Sequence, residues 1–246
     1  VVSGGLLPVD PKTCTVNPGV LVSSWTFDSV LFSPRSMTYP TFMSLPAGTV
    51  VLDAGAGQAP YRDAFGHCEY RTQDWPGSVH AGERPHDIVC DLHEIDAPDG
   101  AFGAAVLTEV LEHVADPAQV LAELARILRP GGRILITVPF VGELHEEPHD
   151  FYRFTSHGLR LLLERAGFDT VEVRPLTGWF TMLSHVLLHE HNSTAGPDIR
   201  ATVPERILSA MLRAASAVLS RIGPRLDRRI DRRRARQEAL GAMIAC

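Results

Sequence analysis

The sequence predicts an α/β protein with a doubly wound, mostly parallel sheet of seven strands and helices on both faces. Short apolar runs alternate with helical patterns from residue 48 onward, which is typical of βα units. Gly55 and Gly57 follow the first of these runs, and Pro130–Gly132 separates the clearest helix from the next strand. The length of 246 residues is sufficient for one such domain with additional elements.

We divide the chain into an N-terminal extension, residues 1–47, and a main domain, residues 48–246. The extension has Pro, Gly and aromatic residues at irregular intervals, so we expect short helical pieces that fold over the mouth of a pocket. Within the main domain we expect a helical insertion at about residues 190–237, followed by a last strand.

The strands are predicted from β-rich apolar runs between turn residues. Each of the first three runs ends at an acid: Asp53, Asp74 or Asp91. The predicted strands are Thr49–Asp53, Glu69–Gln73, Asp87–Cys90, Ala104–Leu107, Arg133–Val138, Thr170–Arg174 and Ala239–Cys246.

Capping residues mark two of the helices. Asp116 is a natural N-cap and Pro117 fits the first helical position. Apolar residues then recur at helical spacing until Pro130–Gly132 ends the pattern. Thr155 or Ser156 caps a second helix. We expect three later histidines to lie in an exposed loop, namely His185, His189 and His191.

A third helical pattern, Pro204–Ile222, lies in a basic segment. Residues 200–238 hold eleven Arg and four acids, a charge of +7, which leaves −13 for the rest of a chain with a net charge of −6. Two interpretations stay open: a lid or homodimer element that packs its apolar stripe on protein, or an interfacial helix on anionic lipid. The stripe is formed by Ile207, Leu208, Met211, Leu212, Ala215, Val218, Leu219 and Ile222.

The composition limits the partners and the compartment. The basic tract is short and has no interleaved aromatic residues, which argues against nucleic acid. No apolar run reaches the roughly 18–20 residues that span a bilayer. The four cysteines form no CxxC pair, and no secretory leader pattern is visible. We therefore expect a cytoplasmic protein that contacts membrane, if at all, through the basic helix.

The first chemical motif is the run V-V-L-D-A-G-A-G-Q-A, residues 50–59, in which a strand delivers Asp53 and then two glycines. Glycines let a ligand approach the backbone closely, and a helix N-terminus offers free N–H groups. Dinucleotide-binding proteins use a similar turn. However, Asp53 would repel a pyrophosphate, whereas it would accept a cationic amino acid moiety.

Two further acids stand at the ends of the next strands. Asp74 falls about twenty residues beyond the glycines, where an acid can accept hydrogen bonds from both hydroxyls of a ribose. Asp91 can accept from the amino group of an adenine, whose ring Leu92 would cover. Each acid alone is more often a surface or capping residue. Three acids at successive strand ends, beside a glycine turn, predict a nucleoside site.

The run F-G-A-A-V-L-T-E-V-L-E-H-V-A-D-P-A-Q-V-L-A-E-L-A-R-I-L-R-P-G-G-R-I-L-I-T-V-P-F, residues 102–140, resembles class I S-adenosylmethionine (SAM)-dependent methyltransferases. It is most similar to the broad bacterial branch that shares V-L-E-H-V and R-x-L-x-P-G-G. With the glycine motif, the resemblance covers residues 48–175. It implies a Rossmann-like fold, SAM as cofactor and S-adenosylhomocysteine as product. Ala59 stands where many members have a third glycine, and alanine is small enough to keep binding.

The resemblance also implies roles for further cofactor residues. Asp53 and the backbone at Gly55 and Gly57 would hold the methionine part of SAM. Thr108 and Glu109, just past the fourth predicted strand, would line the methionine side near the sulfonium. The roles of Asp74, Asp91 and Leu92 at the ribose and the adenine agree with those argued from the residues themselves.

The segment H-E-E-P-H-D-F-Y-R-F-T, residues 145–155, follows the fifth predicted strand. Open α/β sheets bind ligands at the carboxyl ends of their strands, so this loop should meet the acceptor. His149 and His145 are candidate bases for a hydroxyl acceptor, and Tyr152 is a third catalytic candidate. The candidate substrate contacts are His113, Asp150 and Arg153.

Two alternatives for this loop stay open. It could simply pin the following helix, with Tyr152 and Arg153 bound to backbone groups. It could also bind metal, since His145 and His149 have the spacing of a helical zinc pair. Pro148 lies between these two histidines and breaks that geometry, so we expect no metal.

We therefore predict methyl transfer to a hydroxyl of a small or medium-sized acceptor, such as a sugar, a glycan precursor or a secondary metabolite. One alternative is N- or C-methylation of a lipid-linked or aromatic acceptor. Another is a non-catalytic scaffold with the methyltransferase fold. A nucleotide-dependent oxidoreductase is disfavoured by Asp53 directly before the glycines and by the P-G-G turn.

Overall fold

The computed structural model describes residues 20–24, 45–78, 85–169, 171–175, 178–195 and 202–244. Its centre is a sheet of seven strands, and each pairing that it describes is parallel. The order across the sheet is β4-β3-β2-β5-β6-β1-β7. The strands are β1 (Val20–Ser24), β2 (Val50–Ala54), β3 (Glu69–Asp74), β4 (Ile88–Val89), β5 (Phe102–Thr108), β6 (Leu128–Val138) and β7 (Val171–Pro175).

Four α-helices and two short 3-10 helices complete the described elements. The 3-10 helices are Arg62–Phe65, after β2, and Leu111–His113, after β5. The α-helices are α1 (Pro117–Ile127), α2 (Ser156–Arg165), α3 (Trp179–Ala195) and α4 (Val203–Ile244).

Helix α1 begins where its sequence predicts, but it ends at Ile127, and β6 begins at Leu128 and includes Pro130–Gly132, where a turn was predicted before a strand at Arg133. The Asp116 carboxylate accepts hydrogen bonds from the N–H groups of Ala118 and Gln119, at 3.1 Å each. Such a cap satisfies donors that a helix start otherwise leaves unpaired. The periodic apolar residues of α1 are fully buried against the sheet. At α2, the Thr155 hydroxyl accepts from the N–H of Gly158, so Thr155 is the cap.

The sheet carries apolar side chains on both faces, because successive residues of a strand point to opposite sides. One face packs on α1 and α2 through residues such as Leu52, Leu107 and Ile136. The other face packs on Leu45 and on the first 3-10 helix. A parallel sheet covered on both faces agrees with the predicted Rossmann-like class.

Strand β1 comes from the predicted N-terminal extension and is a correction to that prediction. Val20–Ser24 lies between β6 and β7 and pairs with both. The boundary at residue 47 therefore does not separate the extension from the sheet. The predicted helical pieces and pocket cover fall on residues that, apart from 20–24 and 45–47, lie outside the described part.

The prediction of a last strand at Ala239–Cys246 is wrong up to residue 244, because α4 continues to Ile244. This run is apolar but rich in Ala, Leu and Met, which favour helix over strand. The helices at about residues 190–237 are therefore not an insertion before a described strand. The expected loop with His185, His189 and His191 is also wrong, because these residues lie within α3.

Candidate functional site

The carboxyl ends of β2, β3 and β5 form the edge at which most predicted cofactor residues meet. These three strands are neighbours and run in parallel, so their C-terminal residues share one edge of the sheet. Asp53 lies near the end of β2, Asp74 ends β3, and Thr108 ends β5 with Glu109 next. The fold thus brings together acids that are up to 56 positions apart in the sequence.

The glycine turn after β2 is held by side chains of β3. Gly55 and Gly57 have φ angles of 70° and 50°, a region that favours glycine. The N–H of Gly55 donates to Gln73 Oε1 at 3.1 Å, and the N–H of Gly57 donates to Asp74 Oδ2 at 2.9 Å. A Cβ on Gly55 would lie 2.5 Å from Cγ2 of Val110. Gly55 is thus required for the close approach of the segment after β5.

Gln73 is a site residue that the sequence analysis missed. It is fully buried, accepts from the N–H of Gly55 and donates through Nε2 to the Cys90 carbonyl at 2.7 Å. It therefore joins the glycine turn to the segment after β4. Its position directly before Asp74, at the end of a strand, was the signal available in the sequence.

Asp53 is a buried carboxyl whose pKa is raised to about 6. Burial is the largest cause, the hydroxyl of Tyr70 opposes it by donating to Oδ2, and the charge of Asp74 raises the pKa further. Burial also raises the pKa of Tyr61, and the charges of Asp53 and Glu109 add to that rise. The charge of Asp74 thus acts on Asp53, and the charges of Asp53 and Glu109 act on Tyr61.

The residues at this edge fit the implied cofactor. A concentration of carboxylates in a partly desolvated place attracts a cation, and SAM carries both a sulfonium and an ammonium group. The N–H groups of Gly55 and Gly57 are already bonded to Gln73 and Asp74. The close backbone approach, rather than these two donors, is therefore what the turn offers to a ligand.

Asp91 and Leu92 follow β4 but have unequal surroundings. The Asp91 side chain is exposed, and its Oδ1 lies 2.9 Å from the N–H and 2.5 Å from Nδ1 of His93. The hydrogen bond from the His93 N–H is the largest cause of its lowered pKa. Leu92 is buried in the hydrophobic core to which α1 and α2 also contribute. Their predicted contacts with adenine stay predictions.

The loop after β6 is held together by an Asp150–Arg153 pair. The guanidinium of Arg153 donates to both carboxylate oxygens of Asp150, at 2.6 and 2.7 Å. This pair is the main reason why the pKa of Asp150 falls to about 2. Arg153 also donates to the carbonyls of Tyr152 and Glu143, and Asp150 accepts from the His145 N–H at 3.0 Å.

The same loop is bound to the segment after β5. The N–H groups of Phe151 and Tyr152 donate to the Glu112 carbonyl, and the Tyr152 hydroxyl donates to the Ala115 carbonyl at 3.0 Å. These contacts favour the alternative in which Tyr152 and Arg153 pin the loop. The predicted catalytic role of Tyr152 and the predicted substrate contacts of Asp150 and Arg153 stay predictions.

His149, the first candidate base, is an exposed residue of this loop and lies beside the cofactor edge. Its ring packs edge-on against Trp75, with 5.8 Å between ring centroids, and Trp75 directly follows Asp74. His113 and His145 lie further along, with their rings 4.8 Å apart. The loop thus brings His149 beside the residue that follows Asp74, and it brings His145 against His113 of the second 3-10 helix.

A further residue that the sequence analysis did not assign is Glu112. Its side chain is fully buried, and burial followed by the charge of Glu109 raises its pKa well above the ordinary value. Its Oε1 lies 3.9 Å from Nε2 of His113. The sequence showed Glu112 only as part of V-L-E-H-V, without a sign of its burial.

A parallel sheet with a glycine turn and clustered carboxylates at its carboxyl edge defines an α/β protein that binds a nucleoside-type cofactor. The family described as "Methyltransferase domain" matches residues 37–173, more than half of the chain. The chain therefore belongs to the methyltransferase domain family. This membership confirms the resemblance to class I SAM-dependent methyltransferases and supports SAM as the cofactor. The acceptor and the partners are not fixed by it.

Curated relatives match parts of the chain. An uncharacterized 37.1 kDa protein in transposon TN4556 of Streptomyces fradiae is 51% identical over 49 residues, which are 20% of this chain and 14% of that protein. A ubiquinone/menaquinone biosynthesis C-methyltransferase of Proteus mirabilis is 26% identical over 137 residues, 41% of this chain and 55% of that protein. The chain thus spans about half the length, or less, of these relatives.

Solved structures show the same fold at low identity. A Galdieria sulphuraria protein, provisionally named a sarcosine dimethylglycine methyltransferase, is 16% identical to this chain. Its TM-score is 0.50, and the match covers 78% of this chain and 80% of that chain. Phosphoethanolamine N-methyltransferase 2 of Haemonchus contortus, in complex with SAM, is 17% identical, with a TM-score of 0.50 over 77% of this chain and 49% of its own.

In the described part, no helix is long and apolar enough to cross a membrane.

Proposed function

We propose that the protein transfers the methyl group of SAM to a hydroxyl of a small or medium-sized acceptor, such as a sugar, a glycan precursor or a secondary metabolite. The observation that carries this proposal is the position of His149. Its ring contacts Trp75, next to Asp74, while its loop is anchored to the segment after β5. A titratable side chain therefore lies beside the proposed cofactor residues.

The cofactor residues bind and orient. Asp53 and Glu109 provide negative charge for the cationic amino acid part, and Asp74 offers its remaining lone pairs to the ribose hydroxyls. The bound cofactor supplies an electrophilic methyl group. The work left to the protein is to hold the acceptor oxygen in line with that group and to accept the proton of the acceptor hydroxyl.

His149 is the best candidate for accepting that proton. The hydroxyl of Tyr152 already donates to the Ala115 carbonyl, and Nδ1 of His145 lies 3.2 Å from the Glu143 carbonyl and 3.4 Å from Asp150. The His149 ring is exposed and makes ring contacts with Trp75 and Phe151. Asp150 and Arg153 would fix the loop that carries this ring.

Calorimetry with SAM and S-adenosylhomocysteine tests the cofactor part of the proposal. We expect both to bind, and we expect Asp74→Ala to weaken binding by at least about tenfold, the loss of one charge-assisted hydrogen bond. Asp63→Ala, at an exposed acid of the first 3-10 helix, is the matched control. Absence of binding would support the non-catalytic scaffold instead.

The acceptor part is tested by methyl transfer from labelled SAM to a panel of sugars, phenols, amines and quinols. We expect label on oxygen, and we expect His149→Ala to lower kcat by about 100-fold with SAM affinity unchanged. His157→Ala, at an exposed histidine of α2, should have no effect. Label on nitrogen or carbon would favour the alternative of N- or C-methylation, which the names of the relatives suggest. An unchanged kcat of the His149 variant would remove His149 from the mechanism.

The hairpin of α3 and α4 has polar and small residues at its contact. The hydroxyl of Ser216 donates to the Ser184 carbonyl at 2.6 Å, and Asp227 accepts from the N–H groups of Phe180 and Thr181 at 3.0 Å each. On α4 the buried positions are Ser209, Ser216, Gly223 and Asp227. These buried positions are small or polar, and none of them belongs to the apolar stripe.

The apolar stripe of α4 points away from α3. Side chains at spacings of four and seven residues are exposed, among them Ile207 at 59% and Met211 at 65%. Arg225, Arg229 and Arg232 continue this face at helical spacing and are exposed. The exposed members of the stripe and its extension are Val203, Ile207, Leu208, Met211, Val218 and Ile222.

We further propose that this face of α4 lies on an anionic lipid surface, because an apolar stripe that continues into arginines matches acyl chains and charged headgroups. Co-sedimentation with vesicles of phosphatidylglycerol should exceed that with phosphatidylcholine. Met211→Glu should abolish it, and Leu161→Glu, at an exposed leucine of α2, should not. A dimer in sedimentation velocity that Met211→Glu dissociates, without vesicle binding, would assign the face to a second copy.

A further inference from the structure

Three side chains that could bind a metal ion together meet between the segment after β5 and the loop after β6. Glu112 and His113 belong to the second 3-10 helix, and His145 lies 32 positions after His113. One ligand atom from each lies within 4.8 Å of the others. This set differs from the His145–His149 pair that the sequence suggested and then disfavoured, because residues distant in sequence supply it.

Glu112 is the strongest sign of a ligand at this place. Its side chain is fully buried, and neither carboxyl oxygen has a hydrogen-bond partner among the described residues. A buried polar group without a partner costs several kcal/mol as a rule, and a charge costs more. A carboxyl in this position requires a proton or a cation, and its Oε1 points toward Nε2 of His113 at 3.9 Å.

His113 is oriented to act as a ligand through Nε2. Its Nδ1 lies 2.8 Å from the carbonyl oxygen of His149. A carbonyl only accepts, so Nδ1 carries the hydrogen and Nε2 of the neutral ring carries a lone pair. The same backbone hydrogen bond commonly orients histidines that bind metal.

The lone pair of Nε2 faces further acceptors rather than donors. Oxygens of Glu112 and Glu146 each lie 3.9 Å from it. Glu109 and Asp150 add negative charge that raises the pKa of Glu112, while Arg153, the opposing cation, is bonded to Asp150. These carboxylates concentrate negative charge around Nε2, and a cation at their centre would neutralise it.

His145 completes the set from the opposite side. Its Nδ1 lies 3.2 Å from the Glu143 carbonyl, and its ring stands edge-on to that of His113 at 4.8 Å between centroids. Nη2 of Arg153 lies 3.4 Å from the same Nδ1, and one ring nitrogen of His145 lies within 4.8 Å of the ligand atoms of Glu112 and His113. Both rings thus contact a backbone carbonyl through Nδ1.

We propose that Glu112, His113 and His145 bind a divalent transition-metal ion of the zinc type. Two imidazoles and one carboxylate are a known zinc ligand set, and three protein ligands leave a position for water or an acceptor oxygen. Ligand atoms of a tetrahedral zinc site are about 3.3 Å apart, so the present 3.9 to 4.8 Å requires them to close by about 1 Å. This proposal does not rest on the proposed acceptor.

The experiment is a titration of the chelator-stripped full chain with ZnCl2 in calorimetry, and with CoCl2 followed by visible absorption. We expect one ion per chain and the intense absorption of tetrahedral cobalt. MgCl2, which prefers oxygen ligands, should bind far more weakly. Absence of stoichiometric zinc binding would leave a proton on Glu112 and would overturn the proposal.

Three variants assign the ligands. Glu112→Gln, His113→Gln and His145→Gln should each weaken zinc binding by more than the 10- to 100-fold typical of outer ligand partners, and each should change the cobalt spectrum. His157→Gln is the control for zinc bound by surface histidines. Glu112→Gln replaces a buried carboxyl by a neutral group of the same shape, so far-UV circular dichroism should show a folded chain. Unchanged binding in any of the three variants would remove that residue from the site.

Discussion

Asp53 illustrates a conflict between stability and ligand binding at a single residue. Its raised pKa means that Asp53 holds its proton more tightly in the folded protein than in the unfolded chain, because burial penalises the charge. A cationic ligand prefers the carboxylate. The residue that would hold the amino acid part of SAM is therefore one that the protein without ligand stabilises best when it is uncharged.

We expect Asp53→Asn to stabilise the free protein above pH 6 and to weaken SAM binding. In the wild type, the contribution of Asp53 to the free energy of unfolding is fully present below pH 3.8. It is lost as the pH rises through about 6. A shift of this size corresponds to about 3 kcal/mol. Thermal unfolding at pH 4 and pH 8 should show the gain at pH 8 only.

Calorimetry with SAM at pH 8 supplies the second half of this prediction, where we expect a loss of at least about tenfold in affinity. Asp63→Asn, at an exposed acid, should change neither quantity. A variant that is less stable than the wild type at pH 8 would mean that the Asp53 carboxylate has a compensating partner.

Ala59 occupies a conformation that the sequence indicated only indirectly. Its φ angle is 52°, in the left-handed region that disfavours a Cβ. We expect Ala59→Gly to raise the free energy of unfolding by up to about 1 kcal/mol, because relief of this strain exceeds the entropy that glycine adds to the unfolded chain.

Urea unfolding measures the effect of Ala59→Gly. The matched control is Ala122→Gly, at an exposed position inside α1, which should lower the free energy of unfolding by about 1 kcal/mol. If both changes destabilise alike, the left-handed conformation at Ala59 carries no strain.

At the scale of elements, the loop after β6 is ordered by side chains rather than by regular structure. Asp150 and Arg153 bond to each other and to three backbone groups, and the loop backbone bonds to Glu112. The candidate base, His149, and the proposed metal ligand, His145, depend on this arrangement. Residues proposed from the sequence as substrate contacts are thus positioned to support the histidines instead.

We expect Asp150→Asn to loosen this loop and to lower stability by about 2 kcal/mol, since it removes a charge-assisted pair. Because the pKa of Asp150 falls to about 2, the pair contributes above the ordinary pKa near 3.8 and is lost as the pH falls toward 2. Hydrogen exchange should be faster at residues 143–154. Glu147→Gln, at an exposed acid of the same loop, should leave the exchange unchanged.

Elements with local signals could be predicted, and elements that depend on distant partners could not. Helix α1 has its cap, its first-turn proline and its apolar period within residues 116–128. Glu112 gives no such signal, because its burial arises from a loop that begins more than 25 positions later. The α3 helix was missed because its histidines and mixed apolar residues lack a clear period.

At the scale of the whole molecule, the first strand among the described residues joins β6 to β7. Val20–Ser24 pairs with β6 and with β7, more than 100 positions away on both sides. A run of only five residues, in a segment with prolines and glycines, did not suggest a strand that is paired on both sides. A sheet of this class could be predicted because the βα alternation and the strand-end acids are local patterns. The place of β1 in the sheet depends on pairing with residues that are distant in the sequence.

The position of β1 leads to a prediction about the cohesion of the sheet. Val22 aligns with Ile136 of β6 and with Val173 of β7, and in a strand paired on both sides each N–H faces a neighbour. Val22→Pro would remove one such donor and place a ring inside the sheet. We expect it to lower the free energy of unfolding by about 3 kcal/mol or more, measured by urea titration.

The control for this prediction is Val89→Pro on β4. This strand is two residues long and lies at the outer edge of the sheet, where proline is tolerated, so we expect a clearly smaller loss. A Val22 variant as stable as the Val89 variant would show that β7 does not need β1 to join the sheet. A large loss at Val22 alone would mean that the N-terminal segment and the methyltransferase domain fold as one unit.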